Sequence, residues 1–479
     1  MSILQVKIES GLAAGIEKNG VVSFKGIPYA KAGRLLPPSA PESWTGIRLC
    51  DQFGPSPVPG RAMPTPTPAK EDCLSLNIWT AAEQADSGFP VMVWFYGGAF
   101  QHGSSADPDF DGEALAQKGV VLVTVNYRVG ALGFGVMDGK GNFGTRDQVA
   151  ALQWIQRNIR AFGGDPGCVT IFGQSAGGIS CRILLTSPKA KGLFHRVIIE
   201  SGGGLNEADP IRPMEEMDAI QKKTIEKLGM TVEEALSLPA NEFNEKLCAA
   251  AKEVVPGEVG VFQPCIDGEY IVEVPGKLLA DGKYPNDVDV ICGTVAGDAW
   301  MFCRKAAAQI GENDALLRGV SYSPSHSLAL AALRGGKKPI HTYYMERTQP
   351  TSPFHGGHGG YHYGAQCPHS AEIRYVFGTL SPQHTEYDKE ISRALMSYWT
   401  NFAKIGDPNG AGSVSWPAYT EETPYSLHIT DDAMSVENVM DSAEGRAFTQ
   451  FTLDHPGMLE VLAGLESYLE AENRATEAK

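Results

Sequence analysis

Short, largely apolar runs of four to six residues recur along the chain, separated by stretches in which apolar residues return every three or four positions. The runs are Val91–Tyr96, Val120–Val125, Val169–Phe172, Arg196–Ile199, Val288–Cys292 and Ile340–Met345. Strands buried on both faces read as near-continuous apolar runs, whereas helices resting on a sheet show a single apolar stripe. The alternation therefore predicts an α/β fold with a large, mostly parallel central sheet covered by helices on both faces.

Several elements are signposted individually. Thr145 and Gln148 read as a capping box opening a helix; Val149, Leu152, Ile155, Ile159 and Phe162 line one face of it, and Gly163 closes it. Lys18-Asn19-Gly20 predicts a hairpin turn near the N-terminus. Pro55 to Pro68 reads as a proline-rich surface loop. Residues 205–260, helical and charged from 212 onward, predict an inserted cap or side layer, and a long helix is expected from Glu386 to Lys404. The segment 455–479 offers an amphipathic C-terminal helix with an acidic outer face. No internal repeat is visible, and the chain reads as one domain spanning 1–479.

Immediately after the third run comes Gly173-Gln174-Ser175-Ala176-Gly177, with a helical pattern following it as far as Pro188. A serine hydroxyl is a poor nucleophile at neutral pH, so an enzyme that uses one holds it exposed on a sharp strand-to-helix turn beside a base and oxyanion donors. Glycines on either side permit that turn. The string alone is weak in a chain with 54 glycines, but its place between strand and helix gives it weight. Ser175 is the candidate nucleophile. After the first run, Gly97-Gly98-Ala99-Phe100 can converge backbone N–H groups on one point, so Gly98, Ala99 and Ala176 form the candidate oxyanion hole.

Composition narrows the remaining possibilities. With 479 residues, 43% of them hydrophobic, the chain can bury a large core, and a net charge of −16 with no dense basic block argues against a nucleic-acid surface. No stretch is long and apolar enough to span a bilayer. The start of the chain lacks the features of a secretory leader, and nine scattered cysteines without a C-x-x-C pair read as reduced thiols. The expectation is a cytoplasmic protein with no membrane partner. Oligomeric state is not legible.

Taken in order, the motifs resemble those of the type-B carboxylesterases, the cholinesterase-like branch of the α/β-hydrolases. Gly26-Ile27-Pro28-Tyr29-Ala30, Glu71-Asp72-Cys73-Leu74-Ser75-Leu76-Asn77-Ile78-Trp79, Asn126-Tyr127-Arg128-Val129-Gly130 and Ala161-Phe162-Gly163-Gly164-Asp165-Pro166 match family segments. So do Lys191-Gly192-Leu193-Phe194-His195-Arg196, Glu200-Ser201-Gly202 and Val414-Ser415-Trp416-Pro417-Ala418-Tyr419. Through most of the chain the resemblance implies a serine carboxylesterase that hydrolyses small to medium-sized esters by way of an acyl-enzyme, with no cofactor.

The same resemblance places the rest of a triad. His369, before Glu372-Ile373-Arg374-Tyr375-Val376-Phe377-Gly378, stands where the family carries its base. Asp298, in Gly293-Thr294-Val295-Ala296-Gly297-Asp298-Ala299, stands where glutamate is usual; one methylene shorter, it requires a closer approach of its loop to His369. Asp267, Glu269 and Asp289 rank below it. Glu200 is expected to support the triad from behind, and Ser201 resembles the family's buttress serine.

Departures from the family pattern also carry expectations. The stretch Phe53-Gly54-Pro55-Ser56-Pro57 lacks the cysteine that secreted members pair with the equivalent of Cys73, which leaves Cys73 unpaired. Only 71 positions separate Asp298 from His369, so part of the usual gorge wall is trimmed and the entrance should differ in shape. The G-G-A form of the oxyanion motif resembles forms associated with bulky alcohol groups. Residues 354–364 carry His355, His358 and His362 among glycines, but no acidic residue stands nearby; the segment reads as a mobile loop at the mouth, not a metal site. Two rival functions are a non-catalytic binding module and a lyase or dehydratase working in the same pocket.

Overall fold

The apolar runs become strands of one large sheet. The protein is described by a computed structural model covering residues 3–205, 210–258, 260–298, 314–350, 367–410, 414–456 and 465–477. Its strands are β1 (Gln5–Ile8), β2 (Gly11–Ala14), β3 (Ile16–Lys18), β4 (Val21–Pro28), β5 (Ile47–Leu49), β6 (Ser75–Thr80) and β7 (Phe89–Phe95). They continue as β8 (Val121–Val125), β9 (Gly164–Gln174), β10 (Arg196–Glu200), β11 (Asp289–Val295), β12 (Ile340–Met345), β13 (Ser426–Ile429) and β14 (Met434–Glu437).

Eleven of these strands form the main sheet in the order β14-β13-β12-β11-β10-β9-β7-β8-β6-β4-β3, while β1, β2 and β5 form a small separate sheet. From β8 across to β13 every neighbouring pair is parallel; antiparallel pairs occur only toward the two edges. Interior strands such as β8 and β12 are buried at every position, which is why the sequence shows runs there and not alternation. The strand order reverses at β7, which has β8 on one side and β9 on the other. In open parallel sheets a crevice opens beyond the C-terminal strand ends at such a reversal. The Gly97–Phe100 loop leaves β7 and the Ser175 turn leaves β9 at this point.

Helices pack on the sheet largely where the apolar stripes place them. The hairpin forms between β3 and β4 with Asn19 and Gly20 both at positive φ, and the helix Glu386–Ile405 begins with a capping box of Thr385 and Asp388. Helices Met214–Lys227, Val232–Ser237 and Ala240–Val254 lie within residues 205–260, and Leu465–Glu477 forms the last described helix. Residues 457–464 of the expected C-terminal helix lie outside the described residues.

Two local expectations need correction. The long helix Phe143–Asn158, between β8 and β9, starts at Phe143, not Thr145, and Asn142 precedes it with a φ of 55°. Asn142 spends its side chain on Cys265, donating to the carbonyl at 2.7 Å and accepting from the amide at 2.8 Å, so it does not cap. Thr145 and Gln148 are buried inside the helix, and Gln148 donates to Ser180 Oγ. The proline-rich segment is not wholly a surface loop, because residues 56–60 are buried. There the Gly60 amide bonds Gln101 O, Ser56 bonds Ser104, and Asn244 donates to the carbonyl of Val58.

Candidate active site

Ser175 sits between β9 and the helix Ala176–Thr186 with φ 58° and ψ −127°, a conformation non-glycine residues adopt only when the surroundings enforce it. The enforcement comes from neighbouring backbone. Its N–H bonds the carbonyl of Glu200 at 2.9 Å, its own carbonyl accepts from Ile179, and the flanking glycines leave no room for a side chain. A Cβ on Gly177 would lie 1.9 Å from Phe95 O, and one on Gly178 would lie 2.8 Å from Glu200 O. The turn is therefore wedged between β7 and β10, and the serine is held with 8% of its surface exposed.

The loop after β7 lies directly against this turn: a Cβ on Gly97 would come within 2.9 Å of Ser175 Cβ. Gly98, Ala99 and Phe100 take φ values of 111°, 53° and 58° in succession. The carbonyl of Gly98 is drawn back by the amides of Gln101 and His102, and the carbonyl of Phe100 accepts from Gly130 at 2.6 Å. Ala176 opens its helix, where N–H groups have no partner within the helix. Among the described residues, the amides of Gly98, Ala99 and Ala176 are not hydrogen-bonded.

Asp298 and His369 meet across 71 positions of sequence, Nδ1 of the imidazole lying 2.6 Å from Oδ1 of the carboxylate, with both side chains buried. Gly297 explains how so short an acid reaches. Its amide bonds Cys367 O at 2.9 Å, and a Cβ there would stand 2.6 Å from that same oxygen, so only a glycine lets the two loops approach this closely. The other Asp298 oxygen accepts from the Val295 amide. On the far side the His369 ring rests against Gln174, the residue before Ser175. Trp94 of β7 packs against Phe172 of β9 and Phe377, with ring centroids 4.9 and 5.0 Å away, and this anchors the helix that follows His369 to the sheet.

The remaining carboxylates considered for the acid lie in other ion pairs. Asp267 and Glu269 meet Arg146, Glu269 also meets Lys189, and Asp289 meets Arg196. Residues 354–364 and Ala299 lie outside the described residues, as does part of the expected entrance. Among the described residues no cluster of histidine, cysteine or carboxylate side chains could hold a metal.

Behind the histidine lies a feature that sequence reading only half captured. Ser201, at φ 47°, donates to Glu372 Oε1 at 3.2 Å, Tyr343 reaches the same oxygen, and Trp399 Nε1 donates to Glu200 Oε1 at 2.7 Å. Both carboxyl groups are fully enclosed, and among the described residues Oε2 of each has no hydrogen-bond partner. Burial, then the charge of Asp298, push the Glu372 carboxyl up to about 7; burial, then Glu372, push Glu200 well above the carboxylate range. Glu372 was visible as the first residue of the helix motif after His369, but nothing in local sequence says that it turns inward.

A strongly bent serine turn at the reversal point of a parallel sheet, with an aspartate-paired histidine against it, defines an α/β-hydrolase. The carboxylesterase family profile matches residues 3–329 and 321–447. The para-nitrobenzyl esterase of Bacillus subtilis (strain 168) is 30% identical over 488 residues, covering 90% of this chain and 96% of that protein. Human bile salt-activated lipase is 33% identical over 513 residues, covering 89% of this chain and 66% of the lipase. Among solved structures, a thermophilic PNB esterase superposes with a TM-score of 0.79 at 28% identity, covering 93% of this chain and all of that one. A Geobacillus stearothermophilus carboxylesterase gives 0.74 at 29% identity, with 93% of this chain covered and all of that chain. The chain belongs to the carboxylesterase family and is a serine-type carboxylic ester hydrolase.

Proposed function

We propose that Ser175, His369 and Asp298 carry out this hydrolysis in two steps through an acyl-enzyme. His369 takes the proton of Ser175 as the hydroxyl oxygen attacks the ester carbonyl, and Asp298 holds the imidazole in the tautomer whose Nε2 can accept it. The amides of Gly98, Ala99 and Ala176 receive the oxyanion. Collapse of the tetrahedral intermediate breaks the bond to the alcohol, which leaves with the proton from His369. Water, deprotonated by the same imidazole, then attacks the acyl-serine, and the second tetrahedral intermediate collapses to free the acid as His369 returns the proton to the leaving Ser175 Oγ.

The observation that carries this reading is the 2.6 Å contact between His369 Nδ1 and Asp298, made by a ring that also lies against the residue preceding the strained serine. Glu200 and Ser201 support the site from behind, in that Ser201 ties Glu372 to the end of β10. The substrate class is a small-molecule carboxylic ester. A reducing, cytoplasmic setting is proposed on the ground that all eight described cysteines carry free thiols. No described helix is long and apolar enough to cross a membrane.

The test is rapid mixing with a nitrophenyl ester of a short acyl group. One equivalent of nitrophenol per chain should appear in a burst before steady turnover, and Ser175→Ala should abolish both phases while melting normally. Unchanged turnover in that variant would refute the assignment.

A further inference from the structure

Gln174 has no part in the chemistry described so far, yet it is the side chain that joins the serine turn to the histidine loop. It is the last residue of β9 and is 2% exposed. Its Nε2 lies 3.1 Å from Nε2 and 3.3 Å from Nδ1 of His369, while its Oε1 accepts a hydrogen bond from Ser370 Oγ at 3.0 Å. Near-equal distances to both ring nitrogens put the amide over the ring. An in-plane approach midway between the nitrogens would drive it into Cε1, and the axis of either nitrogen alone would give one short and one long distance. Asp298 thus grips the imidazole by its Nδ1 edge and Gln174 covers it, with Ser370, itself at φ 77°, holding the amide's other end. The clamp works with the amide in either orientation, since a hydroxyl both donates and accepts.

We infer that Gln174 is a positioning residue for the base, a neutral clamp that carries the position of the serine turn over to His369 so that nucleophile and base hold one spacing. The inference rests on the reading of His369 as that base. A side chain one bond path away from Ser175 is suited to the task, because proton transfer tolerates little error in distance. Neutrality is part of the design. Among the described residues, the titratable groups around the ring include Asp298 at its edge and Glu372 in the same loop, with Glu200, Tyr343 and Cys367 behind them. An amide adds no further negative charge to this set.

Three variants test it: Gln174→Met, which keeps length and loses the amide; Gln174→Glu, which keeps shape and adds a charge; and Ser370→Ala, which frees the clamp's far end. Gln174→Met is expected to lose roughly tenfold in kcat with KM within about twofold, and to react with a fluorophosphonate more slowly by the same factor. Gln174→Glu should recover most of kcat while its acidic limb of kcat/KM moves about one pH unit upward. Ser370→Ala should fall between wild type and Gln174→Met. Folded Gln174→Met with kcat and labelling rate within twofold of wild type would overturn the inference, as would Gln174→Glu with an unmoved limb. If Gln174→Met does not fold, Gln174→Glu and Ser370→Ala decide the matter. Wild-type enzyme that neither turns over the ester nor labels at Ser175 would overturn the reading of the base itself, whereas an active wild type with indifferent variants removes only the clamp.

Discussion

Asp298 shows how one residue's reach is set by its neighbours. Its short side chain contacts His369 because Gly297 allows the two loops to touch, so the missing methylene is made up by backbone approach. Replacing the carboxylate by an amide keeps the shape and presents an N–H or a weak acceptor to Nδ1, favouring the tautomer that cannot accept the serine proton. Asp298→Asn should therefore lower kcat by about 10⁴-fold with the melting temperature nearly unchanged, as measured by ester turnover and calorimetry on the same sample. Turnover near wild type would move the acid elsewhere. At this scale the serine motif and the glycine loop were legible because their chemistry is local. His369 and Asp298 were reached only through the order of motifs along the chain. The inward turn of Glu372 and the reach of Gln174 across to His369 depend on side chains meeting between elements, which no local pattern encodes.

Elements were legible where burial is simple and obscure where a polar side chain has two possible partners. β8 and β12 are apolar runs because both of their faces are covered. The helix start at Phe143 was misread because Asn142 bonds the distant Cys265 backbone, a partner that cannot be inferred from its neighbours in sequence. The turn around Ser175 combines both situations, since its sequence is plain but its rigidity comes from contact with β7 and β10. Gly177 is the tightest point, with Phe95 O 1.9 Å from where a Cβ would sit. Gly177→Ala should cost about 1–3 kcal/mol of stability and most of the activity, because the helix must move off the sheet to make room. Denaturant unfolding beside an ester assay would measure both, and a variant with wild-type values would show that the wedge does not hold the turn.

For the molecule as a whole, the site rests on a buried layer of acidic groups that ties folding to pH. Glu372 takes up its proton at about 7 when folded, against an ordinary carboxyl value near 4.3 when unfolded. The folded state therefore binds the extra proton between those values, so the stability it contributes is present below about 4.5 and is lost as pH rises through about 7. Glu200 acts in the same sense. His428 does too: burial lowers it, but Glu346 and Glu437, at 2.7 and 2.6 Å, outweigh that and raise it. Buried His326 and His341, held down to about 3 and 4, act in the opposite sense below about 6.5, so the test is a difference. Between about pH 4.5 and 7 the melting temperature of Glu372→Gln should fall less, or rise more, with pH than that of wild type. An identical slope in the variant would show that Glu372 does not carry the proton.

All of this converges on the oxygen of Ser175 as the atom that bonds to the acyl group. Acid-quenching the enzyme during the burst with a nitrophenyl ester and mapping its peptides by mass measures that bond directly. One acyl group per chain is predicted, on the peptide containing Ser175 and absent when His369 is replaced by alanine; an acyl group on another residue, or none on a folded and active enzyme, would contradict the account.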